Sequence, residues 1–350
     1  MIIDREHQRV RFEEPDRHFV ERFGADEAEE MVLDYAVSSA RPFLFDVYQL
    51  ADFLGTDCHR LYALTNHCAS HYRHFRIPKG NEGYRHLYAP KGTLKTIQRK
   101  ILRGILDCYP ISSYATAYHK GASLYQNAEP HSHKAFVLKM DIVDFFGNIS
   151  FQTVYNTVFN TRYFPVAIGT MLTELCCRYE SLPQGAPTSP AISNIVMKFF
   201  DDVMGSWCAR QGIAYTRYCD DITFSGNQNL YPAYTKAKSL LESMRFEVNA
   251  EKTKFISQNR RQKITGIVVN EFPQVPKEYR RKLRQELYYF HKYGAEDVIL
   301  RNDLRAFISE DGEPLVSRYV SSLRSRVEYV LQIDRQDHEF LKEKELLRSL

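Results

Sequence analysis

The stretch YCDDITFSG, Tyr218–Gly226, sets two adjacent carboxylates, Asp220 and Asp221, among aromatic and β-branched residues. Aspartate pairs are common in turns, where their side chains bond local N–H groups. Here Tyr218 and Cys219 precede the pair and Ile222, Thr223 and Phe224 follow it, so strand residues surround the charges. Carboxylates left unpaired among buried neighbours are costly. A third acid, Asp141, closes the apolar run AFVLKM. Three carboxylates gathered at adjacent strand ends repel one another unless cations neutralise them, and hard oxygen ligands favour magnesium. Two such ions about 3.5–4 Å apart lower the pKa of a hydroxyl, hold a triphosphate and stabilise both oxygens of an in-line displacement. Nucleotidyl transfer is the reaction that uses this arrangement. Asp144, three residues after Asp141, reads as a solvated charge or local cap and stays outside the metal set.

Several elements must position these acids. Ala135–Met140 reads as one strand, and Ile213–Tyr218 and Ile222–Ser225 as two more joined at the aspartate pair. Between them SLPQGAPTSPAISN, Ser181–Asn194, is a Pro- and Gly-punctuated loop before a helical pattern resumes over Ala191–Phe200. Upstream, RIPKGNEGYRHLYAPKG predicts a β-hairpin with basic edges, followed by a helix over Leu94–Leu106. The first 70 or so residues read as helical, and from Pro276 onward the pattern is helical with basic faces.

Composition sets the frame. The 350 residues, 44% apolar and 26% charged, suit a globular chain of two or three packed subdomains, and 23 Tyr with 22 Phe supply many stacking faces. The net charge of +4 is small, but residues 76–103 hold eight Lys or Arg against Glu82 alone. Seven cysteines without a CxxC pair suit buried thiols in a reducing compartment rather than zinc or disulfides. Charges from the fourth residue onward and the lack of any 18-residue apolar run argue against a signal peptide or membrane span, so a cytoplasmic protein is expected.

The order of these features, an Asp141 strand, an SLPQGAPTSP loop and a YCDD hairpin, resembles motifs A, B and C of reverse transcriptases. YRHLYAPKGTLKTIQRKIL, NAEKTKF, ITGIVVN and the basic helical end extend the resemblance over about residues 45–330. Two small signatures are similar to those of bacterial retron reverse transcriptases: NAxxH, at Asn127, Ala128 and His131, and VTG, here Ile264, Thr265 and Gly266. The resemblance implies an α+β right-hand polymerase. An N-terminal helical region would fill 1–75, basic fingers 76–135, a palm with an antiparallel, ferredoxin-like sheet 136–273 and a helical thumb 274–350.

It also implies roles. Asp141 and Asp220 would bridge two magnesium ions with Asp221 as third acid, while Cys219 packs without chemistry. Phe146 falls where the family places an aromatic under the nucleotide sugar, which would select deoxynucleotides. Gln184 and Gly185 match the loop that touches incoming nucleotide and template, and Arg85 and Lys91 match positions near the triphosphate. Lys95, Gln98 and Arg99 form an RNA-facing or a solvated helix side. Lys252 matches a lysine that protonates departing pyrophosphate, with an exposed surface lysine as the alternative. Asn127 and His131 would fix a clade-specific loop or its RNA contact, with Thr265 and Gly266 in the same group. Arg280, Arg281, Lys282 and Arg284 would neutralise phosphates or form a solvated face, and Tyr288, Tyr289 and Phe290 stack or pack.

The function implied is RNA-templated DNA synthesis from deoxynucleoside triphosphates. Retron enzymes start it from a 2′-hydroxyl of their own noncoding RNA, giving a branched, RNA-linked single-stranded DNA (msDNA), and act with a separate effector protein in antiphage defence. A group II intron or diversity-generating enzyme is the nearest alternative, and the lack of an appended DNA-binding or endonuclease region argues against the first. An RNA-binding scaffold without polymerase activity would leave the three acids unexplained.

Overall fold

The structure, a computed structural model, describes residues 42, 44–78, 83–161 and 163–348. The helical expectation for residues before 42 lies outside the described residues. In chain order the elements that matter are helices α1 (Val47–Leu54) and α2 (Cys58–Asn66), strands β1 (Tyr72–Pro78) and β2 (Tyr84–Pro90) and helix α3 (Gly92–Gly104). Helix α4 (Leu124–Ala128), strand β3 (Phe136–Asp141) and helices α5 (Val166–Cys176) and α6 (Ser189–Arg210) follow. Then come β4 (Ala214–Tyr218), β5 (Asp221–Gly226), α7 (Tyr231–Ser243), β6 (Lys254–Ser257) and helices α8 (Lys277–Arg301), α9 (Val316–Ile333) and α10 (His338–Arg348). The chain divides into two compact units. The first holds the described residues up to His119, Ile142–Val203 and Leu240–Glu247, and the second holds Lys120–Asp141, Met204–Ser239 and the chain from Val248.

In the first unit local signals set the element ends. The Asp46 carboxylate accepts from the Tyr48 and Gln49 amides to start α1, and Gly55, at φ 63°, ends it in the left-handed conformation. The hairpin pairs Tyr72 with Pro90 through Pro78 with Tyr84, beginning four residues before the sequence-predicted start. Helix α3 begins two residues earlier than expected and buries Leu94, Ile97 and Ile101, at near-helical spacing, while Lys95 and Arg99 stay exposed. Gln98, expected on the RNA-facing or solvated side, is instead buried, and its amide donates to the Tyr72 hydroxyl at 2.7 Å and to the Leu175 carbonyl at 2.8 Å. It falls one step round the helix from Ile97, so it shares the core-facing stripe.

The second unit is built on a four-stranded antiparallel sheet in the order β4-β5-β3-β6. Strand β3 sits between β5 and β6, which explains its largely apolar run: Val137, Leu138 and Met140 are all buried, and Lys139 among them is half-buried. Helices α8, α9 and α10 carry Leu283, Leu287, Leu323, Val327 and Phe340 into one apolar cluster that also takes Val137 of β3 and Ile264 and Ile267 of the ITG segment. Each such side chain contributes about 1.5–3 kcal/mol when fully buried. The helical stretch after Pro276 is therefore tied to the sheet by shared core.

Short helix α4 and the turn after it are held by polar bonds. The Ser123 hydroxyl caps α4 at the Gln126 amide. Asn127 and His131 lie four residues apart, on one face. The Asn127 amide donates to the Thr265 hydroxyl at 3.1 Å. His131 is wholly buried, with Nδ1 at 2.7 Å from the Ser225 hydroxyl on β5 and Nε2 at 2.8 Å from the Thr216 hydroxyl on β4. One imidazole thus staples both arms of the YCDD hairpin.

Burial pulls the His131 pKa from 6.5 down to about 3, with the Lys134 charge pushing the same way. The unfolded chain therefore takes up a proton near pH 6.5 that the native chain refuses. The staple's contribution is full above pH 6.5 and is lost as pH falls toward 3, by roughly 1 kcal/mol per pH unit. Urea unfolding at pH 7.5, 6 and 5 should show wild type losing stability more steeply than His131→Gln; parallel profiles would contradict the neutral staple.

Candidate active site

The acids meet where two strands end. Asp141 is the last residue of β3 and Asp221 the first of β5, and the two are direct partners across the antiparallel ladder. Directly opposed side chains lie on the same face with Cβ atoms about 4.5–5.5 Å apart, so two carboxylates confront one another. Asp220 and Cys219 form the two-residue loop that joins β4 to β5, with Tyr218 paired to Asp221 across its base. Cys219 is buried and takes φ +61°, a conformation that hairpin loops of this length ordinarily give to glycine. The sequence reading gave this thiol a packing role, and its backbone is the sharper feature.

Sequence reasoning missed Arg217, whose side chain is fully buried and donates from Nη1 to the Cys219 carbonyl at 2.9 Å. A guanidinium so placed braces the strained turn that presents Asp220. The available signal was an arginine inside the run IAYTRYC, where a strand is otherwise apolar or aromatic.

Charge balance is local. Lys252 Nζ lies 2.9 Å from Asp141 Oδ2. The Asn249 amide donates to the Asp141 carbonyl at 2.8 Å, and the Asn249 side chain accepts from the Lys252 amide at 3.2 Å, so the NAEKT turn is docked on the end of β3. Burial raises the Asp221 pKa; Lys139 opposes that, and Asp220 and Asp141 add to it. Among the described residues no three His, Cys, Asp or Glu side chains are already closed round a common point. The donor set nevertheless fits a hard cation: all oxygen, two carboxylates opposed on one face and a third in the adjoining turn, with an ammonium already drawn to one of them.

In the first unit the QG loop lies against β2. The Tyr88 amide donates to the Gln184 carbonyl at 2.7 Å, and a Cβ at Gly185, where φ is +112°, would stand 3.1 Å from the Tyr88 carbonyl oxygen. Glycine is required there by both conformation and approach. The Arg178 guanidinium covers the Tyr88 ring at 3.9 Å. Arg85 is exposed on β2, and Lys91 is exposed at the N-cap of α3 with its amide bonded to the His71 carbonyl at 2.8 Å. Phe146 is half-buried beside Phe145, with ring centroids 5.3 Å apart.

Other candidates are spent on the protein itself. Asn127 and His131 are buried and bonded to protein partners, so the geometry favours the loop-fixing alternative over direct RNA contact. The Thr265 hydroxyl is the Asn127 partner, and Thr265 and Gly266 both take positive φ in the ITG turn. Arg280 pairs with Asp337 at 2.5 Å and Arg284 with Glu339 at 2.6 Å, stitching α8 to α10. Arg281 and Lys282 remain exposed, as do Tyr288 and Tyr289, while Phe290 packs in the core.

Residues 77–269 match the family described as reverse transcriptase (RNA-dependent DNA polymerase). Among curated relatives, the chain is 35% identical over 247 residues to the retron Mx65 reverse transcriptase of Myxococcus xanthus, covering 65% of this chain and 57% of that one. It is 32% identical over 189 residues to the retron Ec86 reverse transcriptase of Escherichia coli, covering 53% and 59%. With the retron Ec83 reverse transcriptase of Escherichia coli it shares 31% over 256 residues, covering 69% of this chain and 82% of the relative. The chain thus spans less than two thirds of the first two relatives and most of the third. The opposed acids, the docked QG loop and the NAxxH staple all lie inside the matched stretch, and the chain belongs to the reverse transcriptase family, among the retron reverse transcriptases.

Proposed function

We propose that this chain is the RNA-directed DNA polymerase of a retron. It copies a cognate structured noncoding RNA, starting from a 2′-hydroxyl of that RNA, into branched, RNA-linked single-stranded DNA, and it acts in the cytoplasm with a separate effector protein in antiphage defence. The observation that carries the polymerase reading is the opposition of Asp141 and Asp221 across the ladder beside Asp220 in its braced turn. Family membership supports the retron part.

Magnesium ions, two in this reading, would be held by Asp141, Asp220 and Asp221, and when bound they supply charge neutralisation for a triphosphate and activation of the attacking hydroxyl. The remaining work belongs to the chain's own residues. Gln184 and Gly185 hold the incoming nucleotide through a backbone that admits close approach. Phe146 excludes a 2′-hydroxyl, and Arg85 and Lys91 meet the phosphates with charge-assisted bonds. As the primer hydroxyl attacks the α-phosphorus, its proton passes to water, one P–O bond forms, the bond to pyrophosphate breaks, and Lys252 Nζ donates a proton to the leaving group. Its ion pair with Asp141 holds it at the acids until then. Arg281 and Lys282 contact nucleic-acid phosphates from the exposed face of α8.

Purified with its RNA, magnesium and deoxynucleotides, the wild-type chain should extend DNA. Asp220→Asn should abolish extension while RNA binding survives in a filter assay, and equal synthesis by that variant would sink the assignment. Lys252→Ala should lower kcat about 100-fold with little change in KM for the deoxynucleotide; an unchanged kcat would make Lys252 a surface lysine that merely pairs with Asp141.

A further inference from the structure

Ahead of the QG loop the chain makes a tight turn, Arg178–Ser181, in which the Arg178 amide donates to the Ser181 carbonyl at 2.9 Å. Tyr179 takes φ 55° in this turn, a left-handed conformation that a bulky residue adopts only where its surroundings hold it. The turn is fixed to the chain beside it, since the Phe151 amide donates to the Glu180 carbonyl at 2.7 Å and the Leu182 amide to the Ile149 carbonyl at 3.1 Å. Tyr179 is 68% exposed, yet its ring lies against the Arg178 guanidinium at 4.6 Å. The same guanidinium covers the Tyr88 ring at 3.9 Å. Its Nε is buried without a hydrogen-bond partner, so ring faces take the place of an acceptor there.

Tyr88 is held from the hairpin as well. His74 on β1 is its direct partner across the ladder, and the two rings stack with centroids 4.9 Å apart. With His74 and Arg178 both laid against it, the Tyr88 ring has little freedom to swing. Its backbone meets the loop too: the Tyr88 amide donates to the Gln184 carbonyl at 2.7 Å, and Gly185 comes close to the Tyr88 carbonyl. One residue of β2 thus receives the same stretch twice, Gln184 on its backbone and Arg178, six residues earlier, on its ring. An arginine kept as a point charge for phosphate could be replaced by lysine, whereas contact with two rings needs the flat, weakly hydrated guanidinium. The gain from such a contact is pre-organisation, because a loop that wanders binds its ligand with an affinity reduced by the fraction of time spent in the competent posture.

We propose that Arg178 is a positioning residue: stacked on Tyr88 and Tyr179, it fixes the Gln184–Gly185 backbone against β2 before a nucleotide arrives. The inference rests on the reading that this loop holds the incoming deoxynucleotide, and the first of its two tests does not need that reading. Without nucleotide, hydrogen exchange of the full chain, resolved to the Tyr88 amide by fragmentation in the mass spectrometer, should be at least about fivefold faster in Arg178→Ala than in wild type. An unchanged rate would overturn the proposal. In primer extension, KM for the deoxynucleotide should rise about fivefold in both Arg178→Ala and Arg178→Lys, with kcat within about twofold of wild type. Tyr88→Phe, which keeps the ring, should match wild type, and Arg178→Ala combined with Tyr88→Ala should be no worse than the more severe single change. A wild-type KM in Arg178→Lys would make the residue a point charge and overturn the stack, as would additive losses in the double variant. Should the alanine variants unfold, Arg178→Lys against Tyr88→Phe carries both measurements. Faster exchange with an unchanged KM would keep the stack and overturn the nucleotide-holding role of the loop instead.

Discussion

Two like charges facing each other across a β-ladder are the constraint round which the second unit is arranged. Asp141 and Asp221 are direct partners, and a like-charged pair opposed on a strand face works against folding. The chain meets this with placed cations and rigid supports. Lys252 bonds Asp141, and the positive charge of Lys139 offsets part of the rise in the Asp221 pKa. Arg217 ties down the carbonyl of a turn residue held at positive φ, and His131 fastens the two strands behind it. The apolar cluster from Val137 to Phe340 then makes the sheet hard to deform. A site built this way holds its carboxylates in a posture they would not choose in water, which is what pre-organisation for a cation requires.

The supports differ in kind for a physical reason. An ammonium close to the acids can exchange with another cation, because it is held by charge and its side chain is 43% exposed. A neutral imidazole behind the strands cannot, because it is enclosed and its bonds run to two hydroxyls. The exchangeable group faces the chemistry, and the fixed one carries the geometry.

Much of this was legible in the sequence. Apolar runs that stop at an acid gave the strand ends, since a strand covered on both faces is mostly apolar and its tip readily carries a charge. The Pro and Gly residues of SLPQGAP gave a loop, and Gly185 indeed needs a left-handed φ and room at Tyr88. What stayed hidden depends on contacts distant along the chain. His131 finds its partners 85 and 94 residues away, so no local pattern could separate a staple from an RNA contact. Gln98 looked solvated beside Lys95 and Arg99 because polarity, not its position on the stripe, was the visible cue. For Arg280 and Arg284 the ion pairs were hidden, because charge counting cannot see Asp337 and Glu339 more than 50 residues on. Arg217 was overlooked for the converse reason, as one cation in a strand gives no hint that it braces a turn.

The central claim is that the opposed acids cost stability when alone and recover it from a divalent cation. Thermal unfolding of wild type and Asp221→Asn, each with and without millimolar magnesium, tests this most directly. Removing one of the opposed charges should raise Tm in the absence of magnesium, and magnesium should raise Tm for wild type but not for the variant. A variant less stable than wild type without magnesium, and shifted by magnesium as much as wild type, would contradict the account.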